Sequence, residues 1–151
     1  MSNEPSRNLL YETAGEALYV GQVLEVNVRS LISILNRHAS ASIDADAIIL
    51  SENKRTLGQL IEKLRPLAQF CSDTEIALST ALSARNYVAH EFFIRHNDAF
   101  SNDDAMQEAV ANLHAREREI LVATAITSAF VKGFCQVFNI ELSDVLIRQD
   151  I

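Results

Sequence analysis

The sequence has no tryptophan and only four glycines, two prolines and two cysteines among its 151 residues. So few glycines and prolines favour long, uninterrupted helices and exclude a collagen-like or low-complexity chain. The cysteines, Cys71 and Cys135, are far apart and form no Cys-x-x-Cys pair. We therefore expect two buried thiols in a reducing compartment, and neither a disulfide scaffold nor a zinc site.

A long, uncharged apolar run is also lacking. The longest such stretch, Ile120 to Val131, contains three hydroxyl-bearing residues and is shorter than the roughly 20 residues that a membrane-spanning helix needs. The first residues, Met1 to Arg7, are polar and do not resemble a secretory signal. We therefore expect a cytoplasmic protein that does not enter a membrane.

Positive charge is in deficit, because 13 Lys and Arg residues face 20 Asp and Glu residues, giving a net charge of −7. A constitutive nucleic-acid binder usually has a basic face, so this balance argues against one, although a nuclease that touches RNA briefly remains compatible. The chain also has no Glu-x-x-His pair for a di-iron site, no glycine-rich phosphate loop and no Gly-x-Ser-x-Gly motif. We expect no metal and no cofactor.

Apolar residues with helical spacing fill most of the chain instead. From Asn8 to about Arg37, small and apolar residues recur at alternating steps of four and three, which predicts a long amphipathic helix suited to near-antiparallel packing. Gly21 would allow a neighbouring helix to approach closely, or Gly15 and Gly21 mark a bend. The members of this seam are Leu10, Ala14, Ala17, Gly21, Leu24, Val28, Leu31 and Leu35.

Capping and breaking residues predict the remaining helices. A connection over His38 to Lys54 is followed by the capping box Thr56–Gln59, and Pro66 kinks or ends the second helix near Arg65. A second capping box, Ser72–Glu75, opens a third helix that we expect to reach Arg95 or His96.

Ser101 or Asn102 caps the last long helix. Its residues Arg116 to Glu119 alternate in charge, which predicts a solvated face. From Ile120 to Phe138 it is apolar nearly all round, so it is central or lies at an oligomer interface. The whole pattern predicts an all-α, up-and-down bundle of four to five helices in one domain over residues 1–151.

Within the third helix, polar residues interrupt an apolar arc. At about 100° per residue, Arg85 falls near the centre of this arc, where an unpartnered guanidinium would be costly. It therefore meets a specific anion or acceptor, or the arc borders a cavity or a subunit interface. The arc comprises Ala77, Leu78, Ala81, Leu82, Ala84, Val88, Ala89, Phe92 and Phe93.

Asn86 and His90 are one turn apart at the edge of the arc and can act as a pair. Arg85 and His90 project roughly 140° apart, so a second copy of the helix across a twofold axis would bring both kinds of side chain to one site. The hexapeptide from Arg85 to His90 resembles the motif of the HEPN superfamily, an Arg followed by a polar residue and then a His, carried on a helix of an all-α bundle.

The resemblance implies a metal-independent endoribonuclease that acts as a homodimer, as a toxin, a phage-defence effector or an RNA-processing subunit. It makes Arg85 and His90 catalytic, with Asn86 orienting phosphate or imidazole. Separately from the resemblance, His96 lies on the projected arc one turn past Phe92, where it could bind RNA by stabilising a phosphate near the helix end. RNA would be a transient partner, and an antitoxin or another protein a possible one. In the branch of the family that pairs with a nucleotidyltransferase antitoxin, a tyrosine follows two residues after the His. Phe92 stands there, so control by adenylylation at this position is not available.

The alternative is a non-catalytic dimerisation or protein-interaction module on the same scaffold, which the acidic charge favours. Arg85 and His90 would then form an interface network, with Arg85 paired to an acid such as Glu91 of a second subunit.

Overall fold

The structure, a computed structural model, describes residues 4–39 and 55–146. Every regular element in these two ranges is helical, as predicted for an all-α chain. Six α-helices are present there, two of them with five residues or fewer, together with a 3₁₀ turn at Asn97–Phe100. The helices are α1 (Glu4–Ala39), α2 (Leu57–Leu64), α3 (Ser72–His90), α4 (Phe92–Arg95), α5 (Asp103–Phe138) and α6 (Leu142–Leu146). Most of the predicted connection, residues 40–54, lies outside the described residues.

The three long helices alternate in direction. Asn27 on α1 donates from Nδ2 to the Thr124 carbonyl (3.2 Å) and to Thr127 Oγ1 (3.1 Å) on α5. Near the other end of α1, the Arg7 guanidinium is 3.4 Å from the Phe100 carbonyl, just before α5 begins. Helices α1 and α5 are therefore parallel.

Helix α3 runs antiparallel to α1. Arg85, in the last third of α3, contacts Gly21 in the middle of α1. The Tyr11 and Phe93 rings, with centroids 5.8 Å apart, meet nearer the start of α1 and just after the end of α3. The up-down-up order of α1, α3 and α5 agrees with the predicted up-and-down bundle. Helix α1 therefore has the expected antiparallel neighbour, α3, and also a parallel neighbour, α5. A HEPN-like arrangement of these helices stays a prediction.

Two separate groups of apolar residues fill the bundle. The first core lies towards the C-terminal ends of α1 and α5 and includes Leu24, Ala84 and Ile120. The second core lies towards their N-terminal ends and includes Ala17, Val88 and Leu113. On α1 Gly21 lies between the two cores, and on α3 Arg85 does. The HEPN-like hexapeptide therefore begins at the boundary of two cores. Further members of the second core are Leu10, Ala14, Phe92, Ala99, Met106 and Ala109.

Local capping chemistry explains most helix ends. Thr56 and Gln59 form the predicted capping box, α2 ends at Leu64 just before Pro66, and Asn102 caps α5 by accepting from two backbone N–H groups. The capping box at Ser72 is wrong. The N-cap of α3 is Cys71, which makes no side-chain cap bond, and Glu75 instead binds the Arg65 Nε at 3.1 Å.

Helix α3 ends at His90, earlier than predicted. Glu91 interrupts it with φ −119° and ψ −30°, and α4 resumes at Phe92. No proline or glycine causes the break. The interruption accompanies burial of the Phe92 side chain, which is 0% exposed in the second core. The Phe92 ring also lies against the His96 ring, with centroids 4.8 Å apart.

The surface of α5 differs in two ways from expectation. The side chains of Arg116, Glu117 and Glu119 are half-buried rather than solvated, and Arg116 pairs with Glu119 at 3.1 Å. Beyond them, apolar side chains remain open to solvent, with Leu121 44% and Val122 54% exposed. The described chain thus leaves part of this apolar helix uncovered.

By length and composition alone, α1 and α5 could each cross a membrane. The most apolar window of α1 is 50% buried within the bundle, but that of α5 only 28%. Core helices of water-soluble proteins have the same length and composition, so the cytoplasmic location stays a prediction. The cysteines are both free, and only Cys135 is buried, so the expectation that Cys71 is buried is wrong.

Candidate active site

The Arg85 side chain extends from α3 and packs against α1 at Gly21. A Cβ atom placed on Gly21 would lie 3.0 Å from the Arg85 Cγ and 3.8 Å from its Cβ. Any side chain at position 21 would therefore press on the arginine stem. The predicted close approach at Gly21 is confirmed, whereas α1 continues as one helix through both glycines.

The Arg85 guanidinium is half-buried and has two partners. Its Nη2 donates to Glu25 Oε1 at 3.1 Å, and its Nη1 donates to the Asn86 Oδ1 at 3.2 Å. The arginine side chain is 27% exposed and the Glu25 carboxylate 14%. The acceptor that the sequence required is thus an acid of the same chain. Glu91, the acid considered for this role across a dimer, pairs with Arg95 at 2.7 Å.

Glu25 is shared between two arginines. Its other oxygen, Oε2, lies 3.5 Å from Nη2 of Arg29, one turn further along α1. Arg29 is also largely buried, with 16% of its side chain exposed. Two permanent cations around one carboxylate leave the group with a net positive charge, in a chain whose total charge is −7.

Asn86 and His90 lie on the solvent side of α3. Both residues are exposed, one turn apart, and His90 is the last residue of the helix. In the part of the chain that the structure describes, the His90 imidazole has no hydrogen bond or ion pair. It is therefore accessible to a ligand. Arg85 and His90 are not brought into contact within one chain, in agreement with their predicted angular separation.

His96 has a packing role that the sequence did not reveal. It is half-buried after α4, stacks on Phe92, and its Nε2 lies 3.0 Å from the Tyr87 hydroxyl. One ring nitrogen is thereby occupied within the chain. The Tyr87 to His96 bond ties the last turn of α3 to the segment beyond the break.

Glu25 is the functional candidate that sequence reasoning missed. It lies one turn after Gly21, and 60 residues separate it from Arg85. The one available signal was an acid directly beside the apolar seam of α1. Among the described residues, no group of three or more His, Cys, Asp or Glu side chains is arranged to hold a metal ion.

The chain was compared with protein-family models, with curated proteins and with solved structures, and none of them matches it. The assignment of a function therefore rests on the residues of this site.

Proposed function

We propose that this protein is a metal-independent endoribonuclease of HEPN type, which acts as a homodimer with a composite site built from two copies of α3. The observation that carries the proposal is the accessible His90 imidazole on the same helix as a firmly held Arg85. The two side chains are not in contact within one chain, but a half-buried arginine and an unengaged histidine that meet across a twofold axis are suited to binding and transforming an anion.

The chemistry needs only groups that the chain has. One His90 imidazole removes the proton from a ribose 2′-hydroxyl, whose oxygen attacks the adjacent phosphorus. The twofold-related His90 protonates the departing 5′-oxygen, so the products are a 2′,3′-cyclic phosphate and a 5′-hydroxyl end. Positioned acid-base catalysis of this type contributes about 10²- to 10⁴-fold.

Arg85 would hold the scissile phosphate and stabilise the additional negative charge of the pentacoordinate state. A guanidinium has five N–H donors, and the contacts to Glu25 and Asn86 use two of them. Asn86 accepts through Oδ1, which leaves its amide N–H groups for a phosphate oxygen. RNA would be the transient partner of this site. His96 would be a secondary contact, through the ring nitrogen that the Tyr87 hydroxyl does not occupy.

Burial at position 92 bears on regulation. The Phe92 side chain has no hydroxyl and is completely buried. Adenylylation of this position is therefore excluded twice, by chemistry and by access.

The alternative function, a non-catalytic dimerisation or interaction module, is favoured by two observations. The Arg85 charge is already met by Glu25 within the chain, which gives the arginine a structural role. The exposed apolar side chains of α5, Leu121 and Val122, offer a surface for a partner protein.

One experiment separates the two functions. Purified wild type, Arg85→Ala and His90→Ala are incubated with RNA in EDTA, and the same variants are overexpressed to follow growth. His114→Ala is the matched control, because His114 is an exposed histidine on α5 that lies 3.5 Å from Glu117 and takes no part in the proposed site. Cleavage to cyclic phosphate ends by wild type and control, but not by the two well-folded variants, supports the nuclease. Intact RNA with all four proteins supports the interaction module, and unfolding of Arg85→Ala would indicate a structural arginine.

A further inference from the structure

We infer that Gly21 and Glu25 of α1 are positioning residues for Arg85, fixing where its guanidinium lies for the substrate phosphate. The inference rests on the proposed function and adds to it two residues of a second helix, outside the hexapeptide from Arg85 to His90. It follows from three features of the contact between α1 and α3.

The first feature is steric. An arginine side chain has four rotatable bonds and samples many rotamers unless something restrains it. The Arg85 stem lies against the bare backbone at Gly21, where an added Cβ would be 3.0 Å from Cγ. This packing fixes the near end of the side chain.

The second feature is the hydrogen bond at the far end. Glu25 Oε1 accepts from Nη2 at 3.1 Å, and the carboxylate itself is only 14% exposed. A guanidinium that is held at its stem and at its head is preorganised, because it does not have to be reoriented when the phosphate arrives.

The third feature is charge. A carboxylate beside Arg85 would by itself oppose phosphate binding. Arg29 shares the same carboxylate at 3.5 Å, so the group of three retains one net positive charge. Glu25 can therefore orient Arg85 without cancelling its attraction for an anion.

The test uses the full-length protein and a labelled single-stranded RNA of mixed sequence. Glu25→Ala and Gly21→Ala should each lower kcat about 10- to 100-fold with little change in KM, as expected when a catalytic group is displaced by about 1 Å. Glu25→Gln keeps an acceptor oxygen and should restore most of the rate. Gly15→Ala is the matched control, because nothing lies within 4 Å of a Cβ there, and it should cleave like wild type.

A second readout does not require activity. In protein labelled with ¹⁵N-arginine, the side-chain N–H resonance of Arg85 should shift or broaden in Glu25→Ala and in Gly21→Ala, but not in Gly15→Ala. If wild type cleaves RNA and these two variants cleave with unchanged kcat and KM, the inference is overturned. The inference is also overturned if the lower kcat of Glu25→Ala and Gly21→Ala is fully explained by a lower Tm, that is, by partial unfolding of the variants. If wild type does not cleave, the proposed function fails, and an unchanged Arg85 resonance would separately refute the positioning.

Discussion

Two adjacent phenylalanines provide a direct test of the second core. Phe92 is 0% exposed and its neighbour Phe93 is 37% exposed, although both belong to the short helix α4. Replacing a fully buried phenylalanine by alanine costs about 3–5 kcal/mol, because apolar contacts are lost and a cavity remains. The partly exposed Phe93 ring contacts the rings of Tyr11 and Phe100. Replacing Phe93 by alanine should therefore lower the free energy of unfolding by only about 1–2 kcal/mol.

The difference is measurable by thermal and urea unfolding followed by circular dichroism. For a chain of this size each kcal/mol lowers Tm by about 2–4 °C, so Phe92→Ala should melt roughly 6–20 °C below wild type and Phe93→Ala only a few degrees below it. The two variants share residue type, helix and truncation, so burial is the main difference between them. Equal losses, or a larger loss for Phe93→Ala, would refute the burial of Phe92 in the second core.

Two further predictions concern the ends of helices. Cys71 is exposed, and hydrogen bonds from the hydroxyl and then the backbone N–H of Thr74 lower its pKa, whereas burial raises the pKa of Cys135. Iodoacetamide should therefore alkylate Cys71 at lower pH and faster than Cys135. Thr74→Val should move the pH dependence of the Cys71 alkylation rate to higher pH. Mass spectrometry that finds both thiols equally reactive would contradict this. Asn139 ends α5 with φ 54°, a left-handed conformation that favours glycine. Asn139→Gly should therefore raise the free energy of unfolding in urea by up to about 1 kcal/mol, and Asn139→Val should lower it by about 1–2 kcal/mol. Two variants of equal stability would contradict strain at this residue.

Features set by neighbouring residues were predictable from the sequence. The capping box at Thr56, the cap at Asn102 and the stop before Pro66 depend on side chains within four residues of the helix end. The apolar seam of α1 was also predictable. Its predicted members are buried in the structure: Leu10, Ala14, Ala17, Leu24, Val28 and Leu31. Helical periodicity records burial directly.

Features set by tertiary contacts were not predictable. The break at Glu91 occurs in a sequence with no helix breaker, and it accompanies the burial of Phe92 and the bond between Tyr87 and His96. Glu25 likewise has no local pattern, because its partner is 60 residues away. The motif located Arg85, Asn86 and His90 on one helix, but only the fold identifies what holds the arginine.

Helix α1 serves both cores without interruption, with Ala17 in one, Leu24 in the other and Gly21 between them. Each residue turns a helix by about 100°, so a single residue inserted between Ala17 and Leu24 would rotate one half of the apolar seam out of phase with the other. It would also carry Glu25 away from Arg85 while leaving the composition of the chain almost unchanged. An insertion of about seven residues, close to two full turns, or of about eleven, close to three, would restore the phase. We therefore expect related chains to differ in length elsewhere and to keep this spacing constant.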